Sequence, residues 1–212
     1  GLSTCHRFRL SLLQLWRCDA DSMSRYESFL RQAVADSLIL KASFFDAHAA
    51  DLLGFYRILQ EARSKRRRVF VFGNGGSAAD AQHFAAELMH RVEHKRIGLR
   101  AQALHTDTSL VTALGNDVGF DRIFAAQLEV LAERSDVAVA ISTSGQSSNI
   151  VEGLRAARRK KCRTVGLLGR DGGKARRLCD MALVVRHQST PRIQEVHGMI
   201  IHLICQLLEL RA

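Results

Sequence analysis

The stretch Arg68-Val-Phe-Val-Phe-Gly-Asn-Gly-Gly-Ser-Ala78 decides the fold of this 212-residue chain. Its first half is a short run of β-branched and aromatic residues, which is typical of a strand buried on both faces of a parallel sheet. Its second half, from Gly73 onward, is a glycine-rich turn followed at once by helix-forming residues. A strand that passes through a tight turn into a helix is the repeating unit of an α/β fold.

The same alternation of strand and helix continues toward the C-terminus. Four further apolar runs are predicted as buried strands: Ala101 to Leu104, Val137 to Ile141, Thr164 to Leu168 and Met181 to Val185. Apolar residues from Ser24 to about Leu59 fall at helical spacings and predict two amphipathic helices. Pro191 suits the first turn of a last helix that runs to about Leu210. We expect an α/β fold with a doubly wound parallel sheet of the flavodoxin-like type, with N-terminal and C-terminal helices packed on it.

Length and composition predict a single domain without a membrane span. Hydrophobic residues make up 47% of the chain and charged residues 25%, and no apolar stretch approaches the roughly 18 residues that a span needs. The five cysteines show no CxxC spacing, which argues against a disulfide framework and a zinc ribbon and favours the cytoplasm. Residues 1–22 lack the long apolar region and cleavage site of a signal peptide. We expect them to be a dispensable extension, with one domain over residues 23–212 that begins at Met23.

The net charge of +10 favours an anionic partner. Much of it lies in three basic runs, at residues 65–68, 158–161 and 176–177. No aromatic residues are interleaved with these runs, as a stacking platform for single-stranded nucleic acid would require. We therefore interpret the runs as solvated faces and expect no nucleic-acid partner. A small anionic substrate accounts for the charge more economically.

The turn after the first predicted strand is compatible with two ligands. Residues 73–78 satisfy the G-x-G-x-x-A pattern of dinucleotide-binding proteins. The acidic residue that would bind the ribose is not at its expected place. The second predicted strand ends later, at His105-Thr-Asp107, and Glu87 lies inside the helix that follows the first turn. We retain only the prediction of a tight turn whose backbone N–H groups are exposed.

The turn after the third predicted strand predicts a phosphate site. Residues 142–149 read Ser-Thr-Ser-Gly-Gln-Ser-Ser-Asn, so that five hydroxyls fall within seven positions ahead of a helix. One capping serine would be routine, but five exceed what a cap needs. A helix N-terminus also favours an anion. No lysine follows the glycine as in a Walker loop, so the sequence favours a sugar monophosphate over a nucleoside triphosphate.

Three further runs, taken with both turns, resemble a known family. They are DAQHFAAE at residues 80–87, LGND at 114–117 and RIQEVH at 192–197. Over nearly all of residues 24–211 the chain is similar to the phosphoheptose isomerases of the sugar isomerase (SIS) domain family. It departs at 146–148, where Gln-Ser-Ser replaces the expected Asn-Ser-Gly but keeps the hydroxyls. The resemblance implies this substrate-binding set: Gly75, Gly76, Ser77, Glu87, Asn116, Asp117, Ser142, Thr143, Ser144, Ser147 and Gln194.

The resemblance also implies a metal site and an acid–base pair. His83 and Glu87 are four residues apart, so they project from one face of a helix about 6 Å apart along its axis. Spacing alone does not choose between His197 and His202 on the last helix. The resemblance chooses His202: the residues matching His83, Glu87, Gln194 and His202 bind one Zn²⁺ per subunit, and those matching Glu87 and His202 act as base and acid.

The implied reaction converts sedoheptulose 7-phosphate to D-glycero-D-manno-heptose 7-phosphate through an enediolate. It is the first step of nucleotide-activated heptose biosynthesis for lipopolysaccharide or other surface glycans. Glu87 would carry the carbon-bound proton, His202 would serve the oxygens and zinc would polarise the carbonyl. Glu87 cannot be a tightly held ligand and a free base at once. Either it exchanges between the roles or zinc is less central than the family pattern implies.

Two other functions are compatible with parts of the sequence. SIS-fold relatives include noncatalytic partners of the replication initiator DnaA, in which the acid and base positions tend to be replaced, whereas Glu87 and His202 are present here. A nicotinamide oxidoreductase rests on the first glycine turn alone. The resemblance further implies a cytoplasmic homotetramer with no membrane partner, in which Glu61, Arg91 or His105 could reach a neighbouring subunit's site.

Overall fold

The computed structural model describes residues 25–90 and 98–210. The expected extension at residues 1–22, the start at Met23 and the candidate Arg91 lie outside this range. The chain divides into two compact units, residues 1–49 and 50–212.

The described part of the first unit is helical. Helix α1 is assigned from Arg25 to Ser64, with non-helical backbone angles at His48 (φ −116°, ψ 17°) that mark a kink between two merged helices. The two predicted helices are therefore assigned as one helix with a kink at His48. Within this unit Tyr26, Phe29 and Leu30 are strongly exposed.

The second unit contains the sheet, and all five predicted strands are confirmed within two residues at each end. The strands are β1 Arg68–Gly73, β2 Arg100–Ala103, β3 Val137–Ser142, β4 Arg163–Gly169 and β5 Met181–Val185. The helices that follow α1 are α2 Gly76–Met89, α3 Thr108–Asp117, α4 Ile123–Leu131, α5 Ser148–Arg159, α6 Gly173–Arg176 and α7 Thr190–Glu209, with a 3₁₀ turn at Phe120–Arg122. Pro191 lies in the first turn of α7, as expected.

The strand order is β2-β1-β3-β4-β5, and every neighbouring pair is parallel. The chain moves from β1 to one side to form β2, and then returns past β1 to form β3. The order therefore reverses between β1 and β3, where Val71 pairs with Val139. Ligands of doubly wound sheets bind outside the carboxyl ends of the strands at such a point. Both turns singled out from the sequence start here.

The sheet is held by an apolar core that fixes the position of this edge. Every residue of β3 is buried, and in β1 only Arg68 is partly exposed. Phe72 of β1 packs on Phe124 of α4 with ring centroids 5.2 Å apart, and both rings are buried. Burying a side chain of this size stabilises the fold by roughly 1.5–3 kcal/mol. Among the residues described, no helix has the length and apolar character required to cross a membrane.

Candidate active site at the carboxyl edge of the sheet

The first turn connects β1 to α2 and brings a residue of α7 against it. Gly75 has a φ of +56°, which glycine adopts without strain, and the backbone N–H groups of Ser77 and Ala78 donate to the carbonyls of Asn74 and Gly75. A Cβ on Gly76 would lie 2.1 Å from Nε2 of Gln194. The glycine at this position therefore lets the Gln194 amide lie directly on the turn.

The second turn is the serine loop, residues 142–149, which joins β3 to α5. Ser142 is buried, and its Oγ accepts a hydrogen bond of 3.0 Å from the Gly145 N–H. Oγ of Ser144 accepts one of 3.2 Å from the Gln146 N–H. In the described part of the chain the side chains of Thr143 and Ser147 make no hydrogen bond, although Ser147 is the N-cap residue of α5. The loop thus has a fixed backbone and hydroxyls that retain donor capacity for a ligand.

A pair of asparagines ties the two turns together. Nδ2 of Asn74 donates to Oδ1 of Asn149 over 2.8 Å, and Nδ2 of Asn149 donates to Oδ1 of Asn74 over 2.9 Å. This reciprocal amide pair fixes the distance between the two turns. We did not predict it from the sequence, where the only signal was one asparagine in each of the two turns.

The sequence-predicted acid, base and first histidine come together across α2 and α7. The ligand atoms of His83, Glu87 and His202 all lie within 4.8 Å of one another. Nε2 of His83 is 3.6 Å from Oε1 of Glu87, and the rings of His83 and His202 are 4.9 Å apart. The side chain of His83 is 41% exposed and that of Glu87 22%. A small molecule can therefore reach the group from solvent.

This group could hold a metal ion, because two imidazoles and a carboxylate are ligands that divalent transition metals use. Asp80 lies three residues before His83 on α2 and was not singled out from the sequence. The pKa of the Asp80 carboxyl is raised, because burial raises it by more than the nearby His83 lowers it. Oδ2 of Asp80 is buried and makes no hydrogen bond with the residues described.

The two histidines of α7 have different surroundings. His202 is exposed beside His83. His197 is fully buried, and its Nε2 lies 3.3 Å from the carbonyl oxygen of Leu168 at the end of β4. Burial lowers the pKa of His197 to about 4, so the ring is neutral near pH 7 and is part of the buried core.

The remaining predicted residues lie on other elements of the described chain. Asn116 and Asp117 are exposed at the end of α3, where Nδ2 of Asn116 donates to Oδ1 of Asp117. Glu61 is exposed, and a hydrogen bond from Lys65 lowers the pKa of its carboxyl. His105 follows β2 and is half-buried, which lowers the pKa of its ring.

The fold and the two turns define a class of protein, and comparison with known proteins identifies it. Residues 34–169 match the family model of the SIS domain. A phosphoheptose isomerase of Geobacter sulfurreducens is 54% identical over 163 residues, which is 77% of this chain and 86% of that protein.

Two solved structures agree with this relationship. The phosphoheptose isomerase GmhA from Neisseria gonorrhoeae superposes with a TM-score of 0.81 at 38% identity, covering 86% of this chain and 98% of that one. A phosphoheptose isomerase from Francisella tularensis gives 0.84 at 29% identity, covering 89% and 100%. The chain belongs to the phosphoheptose isomerase family of SIS-domain enzymes.

Proposed function

We propose that this chain isomerises sedoheptulose 7-phosphate to D-glycero-D-manno-heptose 7-phosphate, the first step of nucleotide-activated heptose biosynthesis. The observation that carries the proposal is the grouping of His83, Glu87 and His202 within 4.8 Å across α2, which begins at the first turn, and α7. The family relationship supplies the substrate, because the relatives are phosphoheptose isomerases. A carboxylate and an imidazole at this distance suit a reaction that moves protons between neighbouring carbons and oxygens.

The substrate phosphate is proposed to bind the serine loop. Ser142 and Ser144 use their oxygens to accept loop amides, so each O–H remains available to donate. Thr143 and Ser147 add two further hydroxyls, and the N-terminus of α5 adds a favourable dipole. Gly75, Gly76 and Ser77 would hold the sugar from the first turn together with Gln194, and Asn116 and Asp117 would contribute to the same pocket.

Proton transfer is proposed to use the two ends of the group. Glu87 is half-buried and would take the proton from one carbon of the substrate and return it to the next. His202 is exposed beside it and would move the proton between the two substrate oxygens. Positioned groups of this kind typically contribute about 10² to 10⁴ in rate.

The same residues fit one zinc ion per subunit. His83, Glu87 and His202 provide nitrogen and oxygen donors. Gln194 of α7, which lies against Gly76 of the first turn, would complete the set. When bound, zinc polarises a carbonyl as a Lewis acid. Glu87 would alternate between holding the ion and holding the substrate proton.

The assembly is proposed to be a cytoplasmic homotetramer. His83 and His202 are exposed in the single chain, and a neighbouring subunit would cover them, so that Glu61, Arg91 or His105 could contribute from across the interface. A noncatalytic role as a partner of DnaA is not favoured. The two residues proposed as acid and base are both present, and they are grouped with His83.

The test is incubation of the purified full chain with sedoheptulose 7-phosphate, followed by detection of an aldoheptose 7-phosphate. Fructose 6-phosphate serves as the control substrate, because it offers the same ketose and phosphate with a shorter chain. We expect turnover of the heptulose and at least tenfold less of the hexulose. Absence of product with zinc added and the fold intact would contradict the proposal.

A further inference from the structure

A cavity of about 440 Å³ lies beside the serine loop, on the flank formed by α5 and α6. This volume lies within the range of about 300–1,000 Å³ that small-molecule pockets usually have. Its lining is Gln146, Val151, Arg155, Asp171, Gly173, Lys174, Arg177 and Leu178. Gln146 belongs to the serine loop, and the other lining residues lie outside the substrate-binding and metal sets described above, so the cavity lies beside the site already described.

The charges in the cavity favour an anion. Arg155, Lys174 and Arg177 provide three cations against the single carboxylate of Asp171. Arg155 is paired with Glu152. Lys174 and Arg177 are exposed and make no ion pair with any residue in the described ranges. Two cations without an ion pair, against the one carboxylate of Asp171, leave the cavity with a net positive charge, which raises the local concentration of anions.

The rest of the lining indicates what kind of anion fits. Oδ1 of Asp171 accepts a hydrogen bond of 3.0 Å from the Gly173 N–H, so its second oxygen can accept from a ligand hydroxyl. Val151 is buried and Leu178 half-buried, and they give the cavity an apolar side. Gln146 adds an amide that can donate and accept. The set matches a phosphorylated molecule with a hydroxyl-bearing organic part.

The cavity is also connected to the serine loop by backbone contacts. The Ala175 N–H in α6 donates to the carbonyl of Gly145 over 3.0 Å. A Cβ on Gly145 would lie 2.0 Å from the carbonyl oxygen of Gly172, so the two loops touch backbone to backbone. Gln146 belongs to both, since it lines the cavity and donates its N–H to Ser144. A ligand in the cavity would therefore rest against the outer side of the serine loop.

We propose that this cavity is a second anion site, which binds a phosphorylated small molecule through Lys174, Arg177 and Arg155. The molecule would be a metabolite that carries at least two negative charges. A nucleoside diphosphate and a sugar phosphate both have this chemistry. The site is distinct from the substrate phosphate site on the serine loop.

Calorimetric titration of the full chain with pyrophosphate tests the proposal. We expect two binding events per chain in the unsubstituted protein. In the double variant Lys174→Glu/Arg177→Glu, one event should weaken at least tenfold while the other is kept. In Ser144→Asp, the other event should be lost through like-charge repulsion at the serine loop. ADP and glucose 6-phosphate, titrated in parallel, identify which source of phosphate the cavity prefers.

The matched control is Lys161→Glu/Arg163→Glu, which reverses two exposed cations at the amino end of β4 that do not line the cavity. It should retain both events, and thermal unfolding should be unchanged in all the charge variants. Equal weakening in the control and in Lys174→Glu/Arg177→Glu would overturn the proposal, as would a single event that Ser144→Asp abolishes. Two binding events that persist in Ser144→Asp would instead contradict the assignment of the substrate phosphate to the serine loop. In that case the effect of Lys174→Glu/Arg177→Glu alone would decide whether the cavity binds an anion.

Discussion

Glu87 and His202 lie on different helices, α2 and α7, with their ligand atoms within 4.8 Å of each other. Glu87→Gln keeps the size of the side chain but removes the proposed base, and His202→Asn removes the proposed acid. Each change should lower kcat by about 10² to 10⁴ with KM largely kept. If both residues serve one enediolate, as proposed, the double variant should be little worse than the poorer single one. Steady-state kinetics measures all three.

Exchange of the substrate C1 hydrogen with solvent deuterium separates the two roles. Loss of Glu87 should stop the exchange, whereas loss of His202 should only slow it. Gln82→Glu, an exposed change on the neighbouring face of α2, is the control and should leave kcat within about twofold. Full exchange in Glu87→Gln would show that Glu87 is a structural or metal-binding carboxylate.

His197 makes the free energy of unfolding depend on pH. Its pKa is lowered to about 4 by burial, while an unfolded imidazole has about 6.5. Between these values the unfolded chain binds a proton that the folded chain does not. Stability from the neutral ring is therefore complete above about pH 6.5 and is lost as the pH falls to about 4, by roughly 3 kcal/mol in total.

Urea unfolding at pH 7, 6, 5 and 4.5 measures this contribution. His197→Gln should be less stable at pH 7 but should show a shallower fall toward pH 4.5. His90→Gln removes an exposed histidine on the same chain and should keep the slope of the unsubstituted protein. Identical slopes for His197→Gln and the unsubstituted protein would mean that the buried ring does not control acid stability.

At the scale of elements, the serine loop depends on a backbone contact that leaves no room for a side chain. Gly145 has a φ of +63°, and a Cβ there would lie 2.0 Å from the Gly172 carbonyl oxygen. Gly145→Ala should lower the free energy of unfolding by about 2–4 kcal/mol and raise KM, since the loop must move. Thermal unfolding and kinetics check the two effects.

The matched control is Gly198→Ala in α7. A Cβ there meets nothing within 4 Å, so this change should raise stability by about 0.5–1 kcal/mol through the better helix propensity of alanine. If Gly145→Ala were as stable as Gly198→Ala, the contact between the two loops would not constrain the fold.

The elements were the most predictable part of the molecule. Buried parallel strands are continuous apolar runs, so β1 and β3 could be located from residues such as Val71 and Val139 alone. His83 and Glu87 could be paired because four residues make one helical turn. The Asn74–Asn149 pair could not be predicted, because it depends on β1 lying beside β3. The cavity could not either, because Lys174 and Arg177 reach it only through the short helix α6.

At the scale of the whole molecule, the first unit presents an apolar stripe. Tyr26, Leu30, Val34 and Leu38 recur every four residues along α1, and Phe29, next to Leu30, is 70% exposed. Exposed apolar patches of this kind mark interaction surfaces. Phe29→Glu/Leu30→Glu should therefore dissociate the proposed tetramer into smaller species, because a charge cannot be buried there without a partner.

Size-exclusion chromatography with light scattering measures the result. The unsubstituted chain should give four times its 23.6 kDa mass, and the double variant a smaller multiple. Val130→Glu replaces a residue at 82% exposure on α4 in the second unit and should keep the tetramer. A stable monomer of the unsubstituted chain at working concentration would contradict the proposed assembly.

The strand order also governs how the protein emerges from the ribosome. β1 ends at Gly73 and its neighbour β3 begins at Val137, so β1 must wait for about 60 further residues before its second side is covered. At about 5–20 residues per second this delay lasts roughly 3–12 s. During that time Phe70 and Phe72 are available to chaperones or to another nascent chain, and the active-site edge cannot yet exist. Synonymous changes that slow translation between β2 and β3 should lengthen this exposure and lower the yield of native protein without altering a single residue.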